Sequence, residues 1–120
     1  MRIHCLSVQE PWASRIAYEG KTIENRTWPT SYRGLLLICA SKFPKSPVSG
    51  KAVCMVNLIG CREMKPEDEK AAQSDYEPGT YSWILSGATP IEPFPVRGQL
   101  KIFEIELGEN QIRRFQKVEA

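Results

Sequence analysis

The chain has 120 residues, 42% hydrophobic and 25% charged, which excludes a disordered polyelectrolyte and fits a single folded domain over residues 1–120. Lys and Arg outnumber Asp and Glu by 8 to 3 through Lys51 and are outnumbered 8 to 11 after it, an asymmetry open to two readings, a phosphate-facing basic surface or chance. Residues 1–6 carry no apolar signal-peptide core and no run nears the ~20 apolar residues of a membrane span, so a cytosolic protein with reduced cysteines is expected.

Residues 2–8 alternate as a short strand, with Ile3 and Cys5 on one side. Pro11 then suits a helix start, and Trp12, Ile16 and Ala17 form one apolar stripe that Gly20 can terminate, predicting a helix over residues 11–19. Residues 21–28 are too rich in β-branched and aromatic side chains for an easy helix and read as a polar strand ended by Pro29 and Thr30. The apolar run of residues 34–40 predicts a strand covered on both faces. Residues 41–50, with two prolines, two lysines and three serines, read as a surface loop with room for one helical turn.

Residues 51–60 return to β character, and residues 66–74, with Pro66 and an acidic first turn, predict a short surface helix. Residues 81–85 and 98–107 read as strands joined by a stiff connector, because the three prolines of residues 90–95 are foreign to a central strand. Ile112 and Phe115 favour a helix in residues 110–120 that docks on the body. Several short strands with few helices imply a mostly β fold of the α+β kind, a small barrel closed or capped by helices. A monomer is expected.

The densest polar cluster near aromatics is Lys21-Thr22-Ile23-Glu24-Asn25-Arg26-Thr27-Trp28. On a strand, Thr22, Glu24, Arg26 and Trp28 share one face and Ile23, Asn25 and Thr27 the other. Lys21 can swing toward the first face, which flanks one carboxylate with two cations and leaves a net positive pocket. A guanidinium fork, an ammonium and a carboxylate acceptor are the contacts a nucleotide needs. The plainer reading is a surface ion pair worth roughly 0–1 kcal/mol.

Trp12, Trp28, Tyr32 and Trp83 are candidate stacking surfaces. Trp12, on the helix stripe, suits the core; Trp83 is equivocal; Trp28 and Tyr32, in turn context, suit a ligand. Arg33 beside Gly34 completes the candidate ligand set, while Lys42 and Lys45 read by default as solvated loop charges. Without a C-x-x-C pair, and with His4 as the only histidine, the cysteines give no metal site, and no cofactor is expected. Phosphate-binding, dinucleotide and α/β-hydrolase glycine motifs are absent.

The segments Gln9-Glu10-Pro11-Trp12-Ala13-Ser14, Gly20 through Trp28 and Tyr32-Arg33-Gly34 closely resemble the ASCH domain family, and the likeness extends faintly over nearly the whole chain. Lys21, Glu24 and Arg26 match that family's G-x-K-x-x-E-x-R hallmark, with the glycine adjacent to the lysine instead of two before it. The resemblance implies a PUA-like pseudo-barrel with a helix after the first strand and a short surface helix. It further implies a cleft between barrel and helix that takes single-stranded RNA or a nucleotide-like small molecule, as in a family linked to coactivator, RNA-processing and RNA-modification roles.

One branch of similar size is an amidohydrolase on acetylated cytidine, but carries threonine at the place of Glu24. Another cleaves single-stranded RNA without metal, which implies Lys21 as base and Glu24 as proton carrier or orienter if this chain is an enzyme. Recognition without turnover, metal-independent hydrolysis and a protein-interaction role with a vestigial cleft are the three readings that the sequence leaves.

Overall fold

A computed structural model describes residues 1–119, with side chains through 115. The strands are β1 (Arg2–Val8), β2 (Ile23–Arg26), β3 (Gly34–Ala40), β4 (Lys51–Glu63), β5 (Tyr81–Pro95) and β6 (Ile102–Glu106). They form one sheet in the order β2-β5-β4-β3-β1-β6. All pairings are antiparallel except β1 with β3, which run parallel because α1 (Trp12–Tyr18) and β2 intervene between them. The long β4–β5 pair breaks register three times. Such bulges bend strands and increase their twist, so the mixed sheet curls into a half-barrel.

Two cores sit on opposite faces of this sheet. Leu6, Val8, Leu36, Ile38, Val56 and Trp83 pack under Ala13, Ile16 and Ala17 of α1. Ile3, Cys5, Leu37, Cys39, Ile91 and Phe94 form the second core, against which Ile112 and Phe115 of α3 (Glu109–Glu119) pack. Phe115 meets Phe94 edge-on at 6.3 Å, and Arg114 donates to the Pro93 carbonyl. The predicted C-terminal helix therefore exists and docks; Ala120 lies outside the described residues. The unbroken apolar run of β3 is explained by a strand with a core on each side, only Leu35 near its start being exposed.

Two expectations require correction. The proline-rich residues 90–95 are not a connector but the second half of β5, paired with β4 through Cys54↔Pro90, Ala52↔Phe94 and Lys51↔Pro95. Beyond Ile84 no strand among the described residues pairs with the other side of β5, so a residue lacking an N–H can face that open side without forfeiting a ladder bond. The last strand begins at Ile102 rather than at residue 98, and Leu100 is exposed in the preceding segment.

The predicted surface helix forms as a 3₁₀ turn (Pro66–Asp68) running into α2 (Glu69–Ala72). Asp68 fastens it. Its buried carboxylate accepts two bonds from Arg62 at 2.7 and 2.8 Å, one from the Lys65 N–H and one from Ser82 Oγ. The Arg62 guanidinium holds the Asp68 carboxyl well below the usual carboxylate range.

Asp68→Ala is expected to lower stability at pH 7 by about 2 kcal/mol, since four donors lose their acceptor while half-exposed Arg62 regains water. Because the folded value is depressed, this contribution is present above the unfolded value of 3.8 and is lost as pH falls through the folded one. Urea denaturation of both proteins checks it: the gap between them should hold at neutral pH and shrink only in acid.

Candidate functional site

Gly20, at φ +74°, ends α1, and the Lys21 N–H returns to the Arg15 carbonyl. This left-handed step, which a glycine adopts without strain, turns the Lys21 side chain back under α1. Only 2% of Lys21 is exposed, and its Nζ donates to the Ala72 carbonyl of α2, stands 3.8 Å from Glu24 Oε1 and lies 5.0 Å from the Trp12 ring centre. Glu24, 5% exposed, accepts from Arg26 Nη1 at 3.1 Å through its other oxygen. Arg26 Nη2 in turn donates to the Ser7 carbonyl of β1 at 3.2 Å. The alternation read from the sequence does make Glu24 and Arg26 neighbours, but as a buried pair rather than a surface one.

Burial pushes the Lys21 amine below its ordinary value, opposed by the Glu24 charge beside it. Burial likewise pushes the Glu24 carboxyl up, opposed by Lys21 and Arg26. Both shifts have one cause, the loss of water around a charge.

A polar cleft of about 190 Å³ opens over this cluster, lined by Trp12, Lys21, Glu24, Asn25, Ser74 and Glu77. Asn25 Oδ1 is buried there without a hydrogen-bond partner, the one such side-chain atom among the described residues. The lining holds one cation against two carboxyl groups, so the net positive pocket expected from the triad alone is corrected. Glu77 arrives from the loop before β5, and Arg26 faces Ser7 instead of lining the cleft.

The remaining predicted ligand residues are placed differently. Trp28 packs edge-on against the fully buried Trp83 at 4.7 Å, and its carbonyl accepts from Trp83 Nε1. Tyr32 lies 4.2 Å from the His4 ring and donates its hydroxyl to the Leu35 carbonyl. Arg33 is exposed and caps the Thr30 and Tyr32 carbonyls. Neither Tyr32 nor Arg33 lines the cleft.

The aromatic wall is instead Trp12, which the helix stripe assigned to the core and which is half-buried against it. Its place next to Pro11, at the exposed start of α1, was the available signal. Ser74 and Glu77 gave none, since they reach the cleft only through the fold.

All four cysteines are free. Burial pushes the Cys54 thiol up to about 12, and its contact with Cys5, together with burial, raises Cys39, so neither supplies a thiolate near neutral pH. Among the described residues no helix is long and apolar enough to cross a membrane.

A curled mixed half-barrel with a helix over one core is the architecture of the PUA-like proteins. A model of the ASCH domain matches residues 6–105, and the chain belongs to that family, which is associated with RNA binding. Among curated proteins it is similar to Activating signal cointegrator 1 of Mus musculus and of Homo sapiens, each 28% identical over 129 aligned residues covering 85% of this chain. The chain spans 22% of the length of those relatives. Among solved structures, ASCH from Zymomonas mobilis matches with a TM-score of 0.63 at 13% identity, covering 96% of this chain and 94% of that one. The likeness at that identity is one of fold.

Removing the central carboxylate strands two cations, so Glu24→Gln is expected to cost about 3 kcal/mol at pH 7, and Glu24→Gln with Lys21→Met to recover part of that loss. Lys21 supplies the pH signature. With its folded value lowered, the unfolded chain binds more protons between that value and 10.5, so wild-type stability rises with pH across this window and its contribution is lost as pH falls through the folded value. Lys21→Met should lack this rise; parallel pH curves for the two proteins in chemical denaturation would contradict it.

Proposed function

We propose that the cleft recognises an unpaired nucleobase, presented by single-stranded RNA or by a nucleotide-like small molecule. The observation that carries this reading is the unpartnered buried Oδ1 of Asn25, a residue that lines the cleft together with the buried Glu24. A buried acceptor left unpaired costs about 1–3 kcal/mol, a penalty that a ligand's N–H donors would remove. Lys21 supplies the complementary donor, and Trp12 an aromatic wall against which a flat ring can pack. A volume of about 190 Å³ falls below the roughly 300–1,000 Å³ of pockets for drug-sized ligands, which suits one base better than a whole nucleotide. Two carboxyl groups in the lining favour a base edge with an exocyclic amine and disfavour phosphate at this position. Membership of a family associated with RNA binding supports the same direction.

A second reading has its own observation. Burial lowers the Lys21 amine toward the range where it can act as a base, so a metal-independent hydrolase acting on RNA or on a modified nucleoside would use Lys21 for proton abstraction, with Glu24 orienting it.

Titration of the protein with cytidine, adenosine, uridine and a short single-stranded RNA, with product analysis of each mixture, separates these readings. Amine-bearing bases should bind more tightly than uridine, Asn25→Ala should weaken binding about tenfold through one lost hydrogen bond, and Lys21→Ala should abolish it. Product that disappears in Lys21→Ala would move the protein to the hydrolases. Wild type that neither binds nor turns over would leave a protein-interaction role instead.

A further inference from the structure

If the cleft disfavours phosphate, a nucleic-acid strand whose base enters it needs its backbone held elsewhere. A larger cavity, of about 640 Å³, has the opposite character. It opens between the loop after β3 and the segment before β6, lined among others by Ser7, Ser41, Lys42, Ser49 and Arg97. No carboxylate lines it. Its charged lining residues are Lys42 and Arg97, and the stretches that contribute them, residues 41–42 and 96–100, contain no Asp or Glu. Neither cation takes part in an ion pair among the described residues.

Backbone lies close to the floor of the groove. A Cβ at position 98 would stand 2.8 Å from Ser7 Oγ, so Gly98 lets its segment rest directly on β1. Ser7 also connects the two sites, because its carbonyl receives Arg26, whose other nitrogen holds Glu24 at the cleft. Cations without partners, serine hydroxyls and exposed backbone are the groups that bind phosphodiesters without reading sequence.

We infer that this groove is a second subsite, which holds the sugar–phosphate backbone of the single strand whose base occupies the Lys21–Glu24 cleft. The inference rests on the base-recognition reading for its strand, but the groove's preference for phosphate stands on its own residues. It assigns Lys42 and Arg97, which the sequence alone leaves as solvated charges or without comment, to phosphate contacts.

The test combines amide chemical-shift mapping of the full chain with binding of an eight-nucleotide single-stranded RNA at several salt concentrations, comparing wild type with Lys42→Glu/Arg97→Glu. Inorganic tripolyphosphate and uncharged cytidine serve as separate probes. RNA and tripolyphosphate should both move the amides of Ser41, Gly50 and Gly98, while cytidine should move those of Glu24 and Asn25 in both proteins. Losing two phosphate contacts should weaken RNA binding at least tenfold and flatten the dependence of log K on log salt by about 1.4, at roughly 0.7 per contact on a single strand.

The inference is overturned if RNA leaves the groove amides unmoved and the double variant keeps wild-type affinity and slope; cytidine shifts in the cleft would then preserve the base-recognition reading. Conversely, groove shifts and the expected loss without any cytidine response sustain the groove and remove that reading. Groove shifts with tripolyphosphate but not with RNA would overturn the strand in favour of a free polyphosphate compound.

Discussion

The structure depends on holding one carboxyl group between two basic side chains where water hardly reaches it. Moving an ion of this size into a protein interior costs several kcal/mol even after relaxation, and Glu24 is 5% exposed. Lys21 and Arg26 offset that cost, and each is itself held by a backbone carbonyl, Lys21 by Ala72 and Arg26 by Ser7. Through these contacts β2, at one edge of the sheet, is tied both to α2 and to β1 four strands away in sheet order. A half-barrel that is not closed by strand pairing is thus bridged at this point by side-chain to backbone bonds. Asp68 performs the supporting task, since it fastens the turn that carries Ala72 into place.

Polar clusters of this kind rarely add net stability, and an apolar replacement of similar volume often matches them. The retention of three charged side chains and one orphaned amide oxygen in so small a protein points to work beyond folding. The division of charge over the surface agrees with this. The cleft is short, acceptor-rich and walled by Trp12, whereas Lys42 and Arg97 line a separate groove that holds no carboxylate and includes Ser7, whose carbonyl accepts from Arg26. One site offers acceptors and an aromatic face; the other offers cations and hydroxyls.

Much of the fold was legible in local pattern. The apolar run of β3, the stripe of α1 ended by Gly20, and the acidic start of the 3₁₀–α2 turn each follow from short-range rules on periodicity and capping, which act within a few residues. The hallmark triad was legible for a similar reason, since alternation along β2 sets Glu24 beside Arg26 whatever surrounds them. The prolines of β5 misled because local propensity says nothing about how many neighbours a strand will have, and only the sheet order leaves that half of β5 with one. Asn25 was assigned to the face away from the triad, yet at an edge strand the cleft wraps around and includes it.

By itself the sequence determined which residues could bear charge next to one another, where most helices and strands lie, and the family to which the chain belongs. Tertiary structure decided whether the triad was a surface ion pair or a buried cluster, that Trp12 rather than Tyr32 walls the cleft, and that Ser74 and Glu77 reverse the balance of charge there. The physical reason is that burial and electrostatic environment are set by everything within a few ångströms, and here those neighbours come from β1, α1, β2 and the segment before β5, which are far apart along the chain.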